Sequence, residues 1–161
     1  MADMTPEEID AFLAEVRLCH FATIDPSGHP RVRPMWYVWR GRELWTSTRL
    51  HRYTGTDVTA GSSAAISIAS EDRPYKAVII HGRPEVLPKS EERLLEISTR
   101  YGEAMGRAWT AEVMQEEDRV LYRVVPQRIY RLENDRLGVI EIFLVPIGPD
   151  AEGMRFQAVF G

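Results

Sequence analysis

The sequence predicts a mainly β fold: a small antiparallel barrel of six or seven short strands, with helices confined to a few places. Three observations predict it. Runs rich in β-branched and aromatic residues recur with period two, at residues 19–39, 64–70, 75–87 and 119–132. Turn signals such as Asp25-Pro26-Ser27-Gly28 and Arg40-Gly41 separate them in hairpin order. Helical period is limited to the N-terminus and the stretch after Pro88.

Each element follows from local chemistry. Thr5 suits an N-cap, Pro6 the first helical position, and Glu8 completes a capping box. Ile9, Phe12, Leu13 and Val16 then mark one face of a short helix ending near Arg17. Residues 19–49 read as a three-stranded meander. In its middle strand Val32, Pro34, Trp36 and Val38 face one way, and Arg31, Arg33, Met35, Tyr37 and Trp39 the other. Pro34 donates no ladder bond, which places this strand at an edge or a bulge. Residues 50–63 read as a loop with a short helical turn. Ala64–Ser70 is a fourth strand, and Tyr75–Leu87 a fifth, bent at Gly82 and Pro84. Ser90 caps a helix within Pro88–Arg107 with Leu94, Leu95, Ile97, Ser98 and Tyr101 on its face, and a second helix runs from Thr110 to about Glu117. Arg119–Leu132 is a sixth strand interrupted at Pro126, and Leu137–Gly148 a seventh.

The chain has 161 residues, 44% of them hydrophobic, and a net charge of −4. It is expected to be a single domain, residues 1–161, with a core at 5–132 and a C-terminal extension at 133–161. Acidity argues against nucleic-acid partners, and no apolar run approaches the roughly 18 residues of a membrane span. The polar start and the single Cys19 fit a cytoplasmic chain, with Cys19 as a small buried hydrophobe. His20, His29, His51 and His81 have no metal-ligand spacing. His29 reads as solvated, His20 and His81 as hydrogen-bonded strand residues.

One run stands out. From Thr46 to Thr56 the chain collects Thr46, Ser47, Thr48, Arg49, His51, Arg52, Thr54 and Thr56 without a single acid. Hydroxyls, guanidiniums and turn amides at a strand end can surround a phosphate or carboxylate. The same residues also suit a solvated turn, and the local sequence leaves both readings open. Nearby, Met35, Trp36, Tyr37 and Trp39 offer aromatic walls beside the partly unpaired strand at Pro34, a setting for a flat heterocycle. For Trp36 alone, filling the barrel core is the simpler expectation.

The order of HFATIDPSGHPRVRPMWYVWRGRELWTSTR, AAISIAS and RPYKAVIIHGRPEVL resembles the pyridoxamine 5'-phosphate oxidase-like split β-barrel family, in its small FMN- or deazaflavin-dependent branch, over residues 5–132. The resemblance implies a six- to seven-stranded antiparallel split β-barrel of FMN-binding type. It implies a homodimer with a cofactor in each of two interface clefts. The flavin ring would lie against Arg33, Pro34, Met35 and Trp36, and the phosphate near Thr46, Ser47, Thr48, Arg49 and Arg52. Tyr75 and Lys76 would face the site or the dimer partner. Relatives commonly carry a base where this chain has Thr54, and an Asn where it has Asp57, which leaves Arg49 and Arg52 to carry the anion. The function implied is a flavoprotein oxidoreductase, passing hydride between FMN and a small planar substrate, with the deazaflavin coenzyme F-420 as second choice and haem as a distant third. Tyr37, His51 and Tyr75 are the candidate proton donors. The rivals are a non-catalytic flavin or haem binder and a scaffold without cofactor.

Overall fold

Thr5 opens the first helix as expected: its hydroxyl accepts the Glu8 N–H at 3.2 Å, and the Glu8 carboxylate accepts the Thr5 N–H at 2.6 Å. The computed structural model describes residues 4–58, 61–73, 75–134, 142–150 and 153–160. The helix, α1 (Pro6–Ala14), stops before Arg17 because Glu15 is extended. The carbonyls of Leu13, Ala14 and Glu15 are instead taken by the Arg100 guanidinium.

Seven antiparallel strands follow: β1 (Cys19–Ile24), β2 (Pro30–Met35), β3 (Tyr37–Arg40), β4 (Glu43–Arg49), β5 (Ala64–Ala69), β6 (Tyr75–Pro88) and β7 (Arg119–Asn134). They form one sheet in the order β2-β1-β5-β6-β7-β4-β3, curled into a split barrel. The expected meander is corrected in one respect. Its middle strand breaks at Trp36, so that β2 pairs only with β1 and β3 only with β4, at opposite edges of the sheet. Side chains explain the break. The Trp36 carbonyl accepts the Thr46 hydroxyl at 2.6 Å, and the Tyr37 N–H donates to the Tyr101 hydroxyl at 3.0 Å, so side chains satisfy groups that a continuous ladder would use. Pro34 does sit on an edge strand. The bend in β6 is a register shift between His81 and Gly82, opposite Pro126, and β7 runs unbroken through that proline.

A five-residue helix, α2 (Tyr53–Asp57), follows β4. After β6 come α3 (Glu91–Thr99) and α4 (Glu103–Val113), which replace the expected helices at 88–107 and 110–117. The division falls at Gly102, whose φ of 146° no ordinary L-residue adopts without strain. Gly106 then lets α4 touch α3: a Cβ there would stand 2.6 Å from the Ser98 and Thr99 backbone. Ser98 locks the contact, donating to the Gly106 carbonyl and meeting the Thr110 hydroxyl, each at 2.9 Å. Of the expected strand at 137–148, residues 137–141 lie outside the described residues. The rest belongs to β8 (Ile142–Asp150), which pairs with β9 (Gly153–Phe160) in a separate two-stranded sheet that the sequence did not foretell.

Apolar side chains divide into two clusters. Inside the barrel, Phe21, Tyr37, Leu44, Ile66, Ile68, Val78, Ile80, Tyr122 and Val124 pack with Ile9, Phe12 and Leu13 of α1. Cys19 is fully buried there, and burial pushes its thiol up to about 12, so it stays protonated and inert. Outside, Trp36, Val38 and Trp45 pack under α3 and α4 with Leu94, Ile97, Trp109 and Val113. The period-two alternation across Trp36 holds, with the faces exchanged: Met35, Tyr37 and Trp39 pack against the barrel core, and Trp36 belongs to the helical layer.

Candidate functional site

The end of β4 determines what the Thr/Ser/Arg run can do. Leu44, Thr46 and Thr48 are buried, alternating with half-buried Trp45, Ser47 and Arg49. Thr46 is fully buried and its hydroxyl is committed to the Trp36 carbonyl, so it joins the two broken halves of the strand. Ser47 donates to the Val120 carbonyl at 3.0 Å. Thr48 has no hydroxyl partner among the described residues.

The acids missing from the run arrive from far away. Arg49 Nε donates to Asp118 at 3.1 Å and its Nη1 lies 3.5 Å from Glu116. His51 Nδ1 bonds the other Asp118 oxygen. Partial burial pushes the Asp118 carboxyl up, but the bonds from His51 and Arg49 and their charges outweigh it and hold it below the usual carboxylate range. Glu116 also pairs with Arg119 at 2.6 Å. Arg52 is exposed and has no side-chain partner among the described residues.

Asp57 does not face this region. Its carboxylate is buried, accepting Thr23 Oγ1 and Arg31 Nη1, each at 2.9 Å. Arg31 also holds Asp25 at 2.8 Å, so one guanidinium ties the β1–β2 turn to α2. The Ser27 hydroxyl, then the His29 N–H, lead the interactions that lower the Asp25 carboxyl to about 2 against burial. A depressed carboxylate contributes stability that is present above its ordinary value, 3.8, and lost as pH falls through about 2. The difference in Tm between wild type and Asp25→Asn should therefore shrink as pH is lowered from about 4 to about 2. A difference constant across that window in thermal melts would refute the assignment.

Between β2, β4 and α4 lies a cavity of about 560 Å³. Arg33, Pro34, Met35 and Trp36 line one side; Ser47, Thr48, Arg49, His51 and Arg52 line another. These are the two segments the sequence singles out, and the fold brings them to one hollow. Trp36 stacks on Tyr101 with centroids 4.9 Å apart and 10° between planes, and meets Trp109 edge-on at 5.3 Å. Thr46 lies behind the wall, and the side chain of Thr54 is outside the described residues. Tyr75 and Lys76 sit at the far end of β6, paired with Asn134 and Glu133, while the Leu87–Pro88 end is the one beside the cavity. Tyr37 is withdrawn as a proton donor to this cavity: it is fully buried, bonds the Leu13 carbonyl, and burial pushes its hydroxyl up to about 12. His20 and His81 are exposed rather than hydrogen-bonded inside strands, His81 lying edge-on to Tyr130.

Sequence reasoning missed Ile97, Trp109, Glu116 and Arg119, which complete the lining, and Asp118 behind them. The only hint was the charged run Glu116-Glu117-Asp118-Arg119, which leads into β7. Among the described residues no cluster of His, Cys, Asp or Glu could hold a metal, and no helix is long and apolar enough to cross a membrane.

Solved structures share this architecture. An F420 reductase is 25% identical with a TM-score of 0.61, covering 75% of this chain and 94% of its own. A conserved hypothetical protein of Mycobacterium tuberculosis is 22% identical with a TM-score of 0.72, over 83% of this chain and 88% of its own. The haem storage protein of Vibrio cholerae is 18% identical with a TM-score of 0.63, over 82% and 96%. No curated protein matches the chain. A family model described as a domain of unknown function matches residues 117–160. The family model for pyridoxamine 5'-phosphate oxidase matches residues 5–133, which span α1, the split barrel up to the penultimate residue of β7 and every residue lining the cavity, and the chain belongs to that family.

Proposed function

We propose that the chain is a flavin-dependent oxidoreductase, with FMN ahead of the deazaflavin coenzyme F-420, that passes hydride to or from a small planar substrate. The observation that carries this reading is a cavity of about 560 Å³ that joins the aromatic edge segment Arg33–Trp36 to the strand end Ser47–Arg52. Its size lies within the roughly 300–1,000 Å³ of ligand sites. Family membership and the likeness to an F420 reductase support the same reading.

The residues present fit such a group. Trp36 and Trp109 provide apolar wall for a flat ring. The outer side of β2 pairs with no strand among the described residues, which leaves backbone groups for a ring edge. Arg52 and Thr48 provide anion donors without competing partners among those residues. When bound, the cofactor supplies the hydride chemistry; the chain supplies position, a dry wall and charge. The chain would act as a homodimer. On the outer face of β1, β5 and β6, Ala22, Ala65, Ala77 and Ile79 are half-buried, with His20, Ile24, His81 and Tyr130 exposed beside them, a mixed apolar surface that suits a second copy.

The visible spectrum of the purified protein tests this. Flavin bands near about 370 and 450 nm, or quenching of tryptophan emission on adding FMN, are expected. A single band near about 400–420 nm would move the assignment to deazaflavin or haem. A colourless protein that binds none of these in titration would end it.

A further inference from the structure

The two carboxylates at the cavity's charged end come from one turn, between α4 and β7, and that turn is pinned in place: the Leu50 N–H donates to the Asp118 carbonyl at 3.0 Å. Glu116 lies 3.5 Å from Arg49 and 2.6 Å from Arg119. Asp118 takes both Arg49 Nε and His51 Nδ1. Two carboxylates therefore occupy the Arg49 and Arg119 guanidiniums and the His51 ring, which would otherwise face a ligand. Arg52 is different, being exposed on the cavity wall with no carboxylate partner among the described residues.

We propose that Glu116 and Asp118 are specificity residues: they act as built-in counter-anions that limit the cavity's charged end to one phosphate, held by Arg52 and Thr48, and disfavour a longer polyanionic tail. The proposal rests on the flavin reading and deepens it. A phosphate at Arg52 meets one uncommitted guanidinium and one hydroxyl. Further anionic groups reaching Arg49 or Arg119 must displace a carboxylate from its partner or sit beside it, and like charges repel. FMN carries a single phosphate and fits. A deazaflavin bearing a phosphodiester and several glutamates carries more charge than the wall can neutralise.

Charge-neutral variants test this in a direction few structural roles would produce, namely tighter binding. Glu116→Gln keeps shape and can still accept from Arg119 through its amide oxygen. It should bind FMN roughly two- to fivefold more tightly, the scale of one partly exposed charge pair. Riboflavin, which lacks the phosphate, should be unaffected. The polyglutamylated deazaflavin should gain more than FMN does. Asp118→Asn should act in the same direction, which guards against one variant failing to fold, and ligand-free melting reports integrity. Unchanged or weaker FMN binding by both variants, or an equal gain for riboflavin, would overturn the proposal. Inorganic pyrophosphate separates this from the flavin reading, since it needs no ring site: its stabilisation of the protein against heat should be larger for Glu116→Gln than for wild type, whether or not FMN binds. An equal shift for the two proteins would overturn the counter-anion role by itself.

Discussion

Arg52→Ala should weaken FMN binding by roughly 10- to 100-fold while leaving riboflavin affinity within about twofold, because a charge-assisted contact contributes about 1.5–3 kcal/mol and only FMN has a phosphate to lose it. The expectation is specific to Arg52. Arg49, which the sequence offers as an equal candidate, already bonds Asp118 and lies beside Glu116, so its loss should affect the ends of β4 and β7 as well as the ligand. Arg52 contributes no such bond among the described residues, so its removal should leave the ligand-free Tm nearly unchanged. Fluorescence titration of both proteins with FMN and riboflavin makes the comparison, and Trp36 and Trp109 in the wall serve as reporters. Equal FMN affinity in wild type and variant would remove the phosphate from this end of the cavity.

Arg100→Met should cost about 2–4 kcal/mol of stability, equivalent to a fall in Tm of roughly 5–15 °C for a chain of this size. The guanidinium donates to four carbonyls: Tyr37 at 2.7 Å, Leu13 at 3.3 Å, Ala14 at 3.1 Å and Glu15 at 2.6 Å. It also lies 4.8 Å over the Tyr37 ring. Three of those carbonyls end α1, where the helix's own geometry leaves them unpaired. Methionine matches the apolar stem and donates nothing. Water can reach Ala14 and Glu15, which keeps the cost below the sum of four charged bonds. Lysine, a single point donor, should recover less than half the loss. A Tm drop below about 2 °C in thermal melts would show that α1 is held by packing alone.

What was legible in the sequence followed from period and local chemistry. Thr5 and Ser90 cap the helices the sequence assigned them, and Pro34 marks an edge strand because proline donates no ladder bond. The two segments lining the cavity were also legible, since aromatic and hydroxyl-rich runs are local signals. What escaped was long-range. Nothing near Arg49 in the chain announces Asp118, and the break at Trp36 depends on Thr46 and Tyr101, ten and about 65 residues away. Trp36 itself alternates correctly but packs under α3 and α4, a layer whose place against the barrel no local pattern specifies. The reading of Pro88–Arg107 as helix ran past Gly102, where backbone strain outweighs helical period.

The two edges of the sheet are joined through one residue, Trp36, and this has a kinetic side. The hairpins β1–β2 and β3–β4 use neighbouring residues and can form at once. The barrel itself waits for pairings such as Arg49 with Arg119, seventy positions apart, and closing so long a loop is slow. Any fragment that contains both the Arg33–Trp36 wall and the Glu116–Arg119 turn must run from residue 33 to residue 119 and take in β3, β4, β5 and β6 whole. Acquiring a binding site and completing the fold are thus the same event. A ligand supplied at about a hundred times its Kd should hold the entire barrel, not one loop, against unfolding by about 2.7 kcal/mol.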